Sequence, residues 1–184
     1  RKGFPFRNAN RFNIVPVENA NAFPRVLEKT LKEDNCETIV VESFTKYVEQ
    51  VNTLATNSFK GYDIWSFYNR TIRNMLDSIK NDKATIIFTA VDDIVKIPQI
   101  TGGESSHRRV KVQGKVHEGA VEKEFLMVLF TEVRKNEKTE EMEYFFQTNT
   151  DGVTSAKTPM GMFDKQLIPN DIVEVLKKVE EYYA

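Results

Sequence analysis

One cysteine in 184 residues, Cys36, leaves no internal disulfide and no multi-cysteine metal site. It fits a reducing compartment and, lying just ahead of an apolar run, reads as a packed thiol rather than a nucleophile. Net charge is nearly absent too, with 26 basic residues against 27 acidic ones. Whole-chain electrostatics therefore favour no nucleic-acid partner, and any basic surface must be local. Long apolar runs are missing: the longest covers residues 125–130, against the roughly 20 residues a membrane helix needs. The opening Arg1-Lys2-Gly3-Phe4-Pro5 has neither Met nor an apolar core of signal-peptide length, so the chain reads as a fragment or a processed product. His107 and His117 have no third ligand in a metal-binding spacing. Ser105-Ser106-His107 lacks the strand–turn–helix glycine frame of a hydrolase nucleophile. There is no internal repeat and no low-complexity linker. The length suits one domain, residues 1–184, with a proper core.

What the chain does have is organised around Glu37-Thr38-Ile39-Val40-Val41-Glu42-Ser43, a short β-branched run that ends in a carboxylate and a hydroxyl. Apolar residues without polar alternation suit a strand covered on both faces, as in a parallel sheet. A carboxylate at the carboxyl end of such a strand sits where open α/β sheets bind ligands. Equally, a buried strand ends in an acid simply because loops are polar. A second strand of this kind, residues 84–91, ends at Asp92-Asp93. Together the two strand ends form the basis of a nucleotide-site hypothesis.

Residues 12–17 make a candidate strand, and Asn19 can cap a helix over residues 20–33, with Pro24 in its first turns. Residues 44–58 have the helical stripe Phe44, Tyr47, Val48, Val51 and Leu54; residues 63–81 have a second one, with Trp65 as a buried anchor. After residue 91 the character changes. Gly102-Gly103 and Ser105-Ser106 predict a mobile loop over residues 101–107. Arg109, Lys111 and Gln113 alternate with Val110 and Val112, a strand pattern with one basic face. That face is either solvated or a phosphate contact. Residues 124–134 and 142–148 form an antiparallel pair across a charged turn, with Glu122-Lys123-Glu124 as surface charge at the strand entry. A last helix starts near Pro169-Asn170-Asp171. The expected class is α/β, with a parallel sheet at the start, an antiparallel C-terminal extension and flanking helices.

Several stretches, taken in order, resemble the RecA-like ATPase core, and more closely the RecA-like ATPases that bacteriophages encode for recombination and single-strand annealing. They are residues 37–43, 84–93 and 108–119 running into Val121-Glu122-Lys123-Glu124-Phe125; then Phe145-Phe146-Gln147-Thr148-Asn149-Thr150-Asp151-Gly152 through Met160-Gly161-Met162-Phe163. Ile168-Pro169-Asn170-Asp171 and Glu181-Tyr182-Tyr183 complete the set, which spans about residue 12 to the end. The resemblance implies a RecA-like P-loop NTPase fold, ATP and Mg²⁺ as cofactors, single-stranded DNA as partner, self-association into a ring or filament, no membrane, and the bacterial host cytoplasm. It puts Glu42 in the place of the acid that holds the Mg²⁺ shell or polarises water near the γ-phosphate, where most of the class uses Asp. Ser43 matches the hydroxyl that follows this acid. Thr89 to Asp92 match the sensor strand end, with Val91 where Gln or His is expected. The break around residues 53–62, which contains Lys60, and the loop of residues 97–107 match two DNA-channel loops, with Arg108, Arg109, Lys111 and Lys115 as phosphate contacts. Lys157 resembles a lysine that such proteins extend into a neighbouring subunit's nucleotide.

One departure bears on all of this. No G-x-x-x-x-G-K-[ST] occurs in the chain: Gly102-Gly103 is not followed by Lys, and Gly114-Lys115 lacks the rest. In relatives the cradle precedes the strand corresponding to residues 12–17, so the resemblance places it upstream of Arg1; otherwise the protein has lost ATP binding.

Overall fold

A computed structural model describes residues 12–33, 35–80 and 83–184. By its contacts the chain divides into two units. One takes the residues up to Val41 together with Glu49–Ile87, and the other takes Glu42–Val48 together with Phe88–Ala184.

In the first unit, a single 3-10 turn, Ala20–Ala22, is capped by the Asn19 side chain and runs into helix α1, Phe23–Leu31. Pro24 sits in the first turn of α1, where its missing N–H costs nothing. Helix α3, Tyr62–Ser78, buries Tyr68, Ile72, Met75 and Leu76, the spacing of one helical face, and packs on α1, which buries Phe23 and Leu27. Trp65 is 42 % exposed rather than a buried anchor. It stands one turn ahead of Tyr68, where the apolar face runs out, and meets that ring edge-on at 6.2 Å.

Strand β1, Thr38–Val41, pairs with β2, Thr85–Phe88. Neither strand has a fully buried residue, and Val40 is 61 % exposed, so the expected cover on both faces is not seen. β-Branched composition produced the strands; cover depends on neighbours, and this sheet has two strands among the described residues. Residues 12–17 form no strand. Pro16 removes a ladder donor from that short run.

Helix α2, Phe44–Ser58, begins in the second unit and continues in the first, with Phe44, Tyr47, Val48, Val51 and Ala55 buried along one side. The second unit proper is antiparallel. Strands β3, Asp92–Pro98, and β4, Glu104–Val110, form a hairpin in which Ile94 faces Arg108 and Lys96 faces Ser106. The expected mobile loop is thereby reduced to the turn of residues 99–103. Gly102 and Gly103 take φ of 89° and 85°, which only glycine adopts easily, and Gln99 N–H donates to the Gly103 carbonyl at 3.0 Å. The expected basic strand ends early too. β4 stops at Val110 because its partner begins at Asp92, which leaves Lys111 and Gln113 beyond the ladder.

The expected strand over residues 124–134 is instead a 3-10 turn, Glu122–Glu124, followed by β5, Phe130–Lys135. β5 pairs antiparallel with β6, Met142–Gln147, and β6 with β7, Leu167–Pro169. Helix α4, Ile172–Tyr183, starts where Asp171 accepts the N–H groups of Val173 and Glu174. No helix among the described residues is long and apolar enough to cross a membrane.

Candidate functional site

The β1 run ends at Glu42, and β2 delivers Thr89 beside it. The Thr89 hydroxyl donates to Glu42 Oε2 at 2.5 Å, and Phe44 N–H donates to the Thr89 carbonyl at 2.8 Å. The Glu42–Ser43 peptide is cis. Ser43 Oγ accepts Lys46 N–H at 3.2 Å and so caps α2. Two residues on, Thr45 Oγ1 accepts Val91 N–H at 2.8 Å. Two strand ends and a helix start are thus fastened around an exposed carboxylate.

Glu42, Ser43 and Thr89 offer only hard oxygen donors, which suit Mg²⁺ rather than a soft metal. Among the described residues no group of three His, Cys, Asp or Glu could hold a metal. A Mg²⁺ held by Glu42 would complete its shell with water and phosphate oxygens, its ordinary habit.

Asp92, grouped with these residues by the sequence, spends its carboxylate elsewhere. Arg108 Nε donates to Asp92 Oδ2 at 2.6 Å, and Arg108 Nη1 reaches Glu132 Oε1 at 3.5 Å. The guanidinium also lies 5.3 Å from the centre of the Phe130 ring. The Asp92 hydrogen bond above all, then the charges of Asp92, Glu132 and Asp151, raise the Arg108 pKa against the opposing pull of burial. Arg108 therefore braces the hairpin against β5. Arg109 is half-buried, whereas the side chains of Lys111 and Lys115 are exposed. Lys60 is exposed as well, on the α2–α3 connection of the other unit.

Lys157 exchanges two backbone hydrogen bonds with Val128, each of 2.9 Å, and its Nζ donates to the Lys123 carbonyl at 3.3 Å. Its loop is shaped upstream by Asp151, whose Oδ1 accepts the N–H groups of Val153 and Thr154 and the Thr154 hydroxyl. Those backbone bonds, Thr154's first, hold the Asp151 carboxyl well below the usual carboxylate range. A lowered folded pKa adds stability that is complete above the unfolded value of 3.8 and is lost as pH falls below it. Asp151→Asn is accordingly expected to flatten the acid limb of the melting temperature measured between about pH 5 and 3. An acid limb identical to that of the parent would exclude this role.

Sequence reasoning missed Glu122, which is 6 % exposed rather than surface charge. Its Oε1 accepts Val110 N–H at 2.9 Å and the Ser155 hydroxyl at 3.1 Å. The signal available was slight: an acid directly after Val121 and close before Phe125. Thr45 was missed as well, although a hydroxyl in a first helical turn is a known acceptor for a stray N–H.

In comparison with known proteins, a family model described as an AAA domain matches residues 7–160. No curated protein and no solved structure matches the chain.

Proposed function

The chain belongs to the AAA-domain family, P-loop NTPases of α/β fold, and from that premise we propose that it is an ATP- and Mg²⁺-dependent ATPase of the RecA-like phage kind. In this reading it works on single-stranded DNA in recombination or strand annealing and self-associates into a ring or filament. The observation that carries the proposal is the meeting of Glu42 and Thr89 at the ends of two paired strands. Bound Mg²⁺ supplies charge neutralisation for a transferring phosphoryl group. Glu42 would hold the metal and orient water. Thr89 fixes the rotamer of Glu42, and Ser43 anchors the helix start beside it. Lys157 would add positive charge to a neighbouring subunit's nucleotide.

For DNA phosphates the second unit offers Arg109, Lys111 and Lys115; Lys60, of the first unit, is a separate candidate contact. Arg108 already has two acid partners and serves to hold that surface in place. Single-strand affinity of the full chain, measured against salt, is expected to fall about tenfold in an Arg109→Ala, Lys111→Ala double variant, with a shallower salt slope. Unchanged affinity would remove the DNA assignment.

A second reading is favoured by one sequence fact. The 184 residues contain no G-x-x-x-x-G-K-[ST], which suits a family member that binds nucleotide, DNA or a partner without turning ATP over; a phage NTPase engaged in replication or host interaction is a separate alternative. Binding of DNA without any Mg²⁺-dependent ATP turnover would select the non-catalytic form. Turnover indifferent to DNA would select the other NTPase.

A further inference from the structure

We infer that Glu122 is a positioning residue that fixes the Thr154–Lys157 loop, and with it the Lys157 ammonium, to the carboxyl end of β4. That Lys157 meets nucleotide rests on the function proposed above; that Glu122 sets its place does not.

The 3-10 turn Glu122–Glu124 holds the loop at two points. The Glu122 side chain takes the Ser155 hydroxyl at 3.1 Å, and the Lys123 carbonyl takes Lys157 Nζ at 3.3 Å. The same Glu122 oxygen accepts Val110 N–H at 2.9 Å, at the last residue of β4. One carboxylate oxygen therefore ties together a hairpin end, a 3-10 turn and a loop. On the hairpin side the connection continues, since Arg108 N–H donates to the Val153 carbonyl at 2.8 Å and Lys111 N–H to the Val91 carbonyl at 2.9 Å. Val91 N–H in turn rests on Thr45, three residues past Glu42.

The surroundings make stability a poor explanation for this acid. Glu122 is 6 % exposed, and its Oε2 is buried without a hydrogen-bond partner among the described residues. Burying a carboxylate carries a desolvation cost that neutral donors repay only in part. A well-packed apolar side chain would avoid that cost, but would leave both Val110 N–H and the Ser155 hydroxyl without an acceptor. What the acid provides is a shared acceptor for two segments whose direct backbone contact, from Arg108 N–H to the Val153 carbonyl, lies two residues earlier in each. Position, rather than net stabilisation, is the gain.

The test is amide hydrogen exchange on the full chain, with ATP turnover measured alongside. In Glu122→Ala the amides of Val110, Val128 and Lys157 are expected to exchange about tenfold faster or more, while those of β6 stay protected. Glu122→Gln, which keeps an oxygen able to accept both bonds, should stay within a few-fold of the parent. Ser155→Ala removes a single hydroxyl and leaves the buried acid in place, so it remains informative if Glu122→Ala fails to fold. It should speed exchange at Val128 and Lys157 and lower kcat for ATP with KM unchanged. Faster exchange confined to Val110, or Ser155→Ala exchanging like the parent at Val128 and Lys157, overturns the inference. Coupled exchange in a protein that never hydrolyses ATP upholds the positioning role and defeats the proposed function instead.

Discussion

Glu42→Gln is expected to lower ATP turnover by about 10²–10³-fold, the range seen when one pre-organised charge-stabilising group is removed from an active site. Glutamine keeps the shape of the side chain and an oxygen that still accepts the Thr89 hydroxyl. It loses the negative charge that a hard cation requires. Because Glu42 is exposed and its hydrogen-bond partner Thr89 is neutral, the melting temperature should hardly move; exposed substitutions of this kind stay within about 0.5 kcal/mol. The diagnostic result is lost turnover in a protein that unfolds like the parent. Turnover within threefold of the parent, measured at saturating Mg²⁺ and ATP, would remove Glu42 from the chemistry.

Phe44→Ala should do the opposite, with a large loss of stability. Phe44 is 1 % exposed and meets Phe88 edge-on at 6.3 Å, and Phe88 meets Phe125 edge-on at 5.4 Å. Truncation leaves a cavity in this aromatic row, and phenylalanine-to-alanine changes in cores cost about 3–5 kcal/mol. For a chain of this size that corresponds to a fall of roughly 10 °C in melting temperature. Phe44→Leu, which refills most of the space, should recover more than half of it. The backbone bond from Phe44 N–H to the Thr89 carbonyl does not depend on the side chain, so residual folded protein should keep its Glu42–Thr89 contact. A loss below about 1 kcal/mol would mean that the row repacks freely.

The parts of the fold legible in the sequence are those fixed by local periodicity and end signals. Helix α2 follows from the spacing of Phe44, Tyr47, Val48, Val51 and Leu54, although Ala55 rather than Leu54 completes the buried side, and α4 follows from Asp171, whose side chain caps it. The β5–β6 hairpin follows from two apolar runs around a charged turn, in which Asn136 Oδ1 accepts the N–H groups of Lys138 and Thr139. Where the outcome depends on a distant partner, local pattern was not enough. The alternation from Arg109 to Gln113 looks like a strand, but a ladder extends only as far as its partner, and β3 begins at Asp92. The same register puts Arg108 opposite Ile94, diagonal to Asp92, within reach of a long side chain. Nothing in Arg108-Arg109 alone distinguishes the brace from its neighbour. Glu122 illustrates the limit most sharply, since burial of an acid is decided by what folds over it. Glu42 and Thr89 were each readable as strand ends; their contact required the strands to pair.

That pairing also carries a kinetic implication. Glu42 and Thr89 are 47 positions apart, with α2 and α3 between them, whereas the β3–β4 hairpin closes over the few residues between Pro98 and Glu104. Closing the longer loop forfeits more chain entropy before any contact repays it. During folding, the hairpins and helices can therefore form from nearby partners, and the acid and its hydroxyl come together only late, once α2 and α3 have taken up the intervening chain.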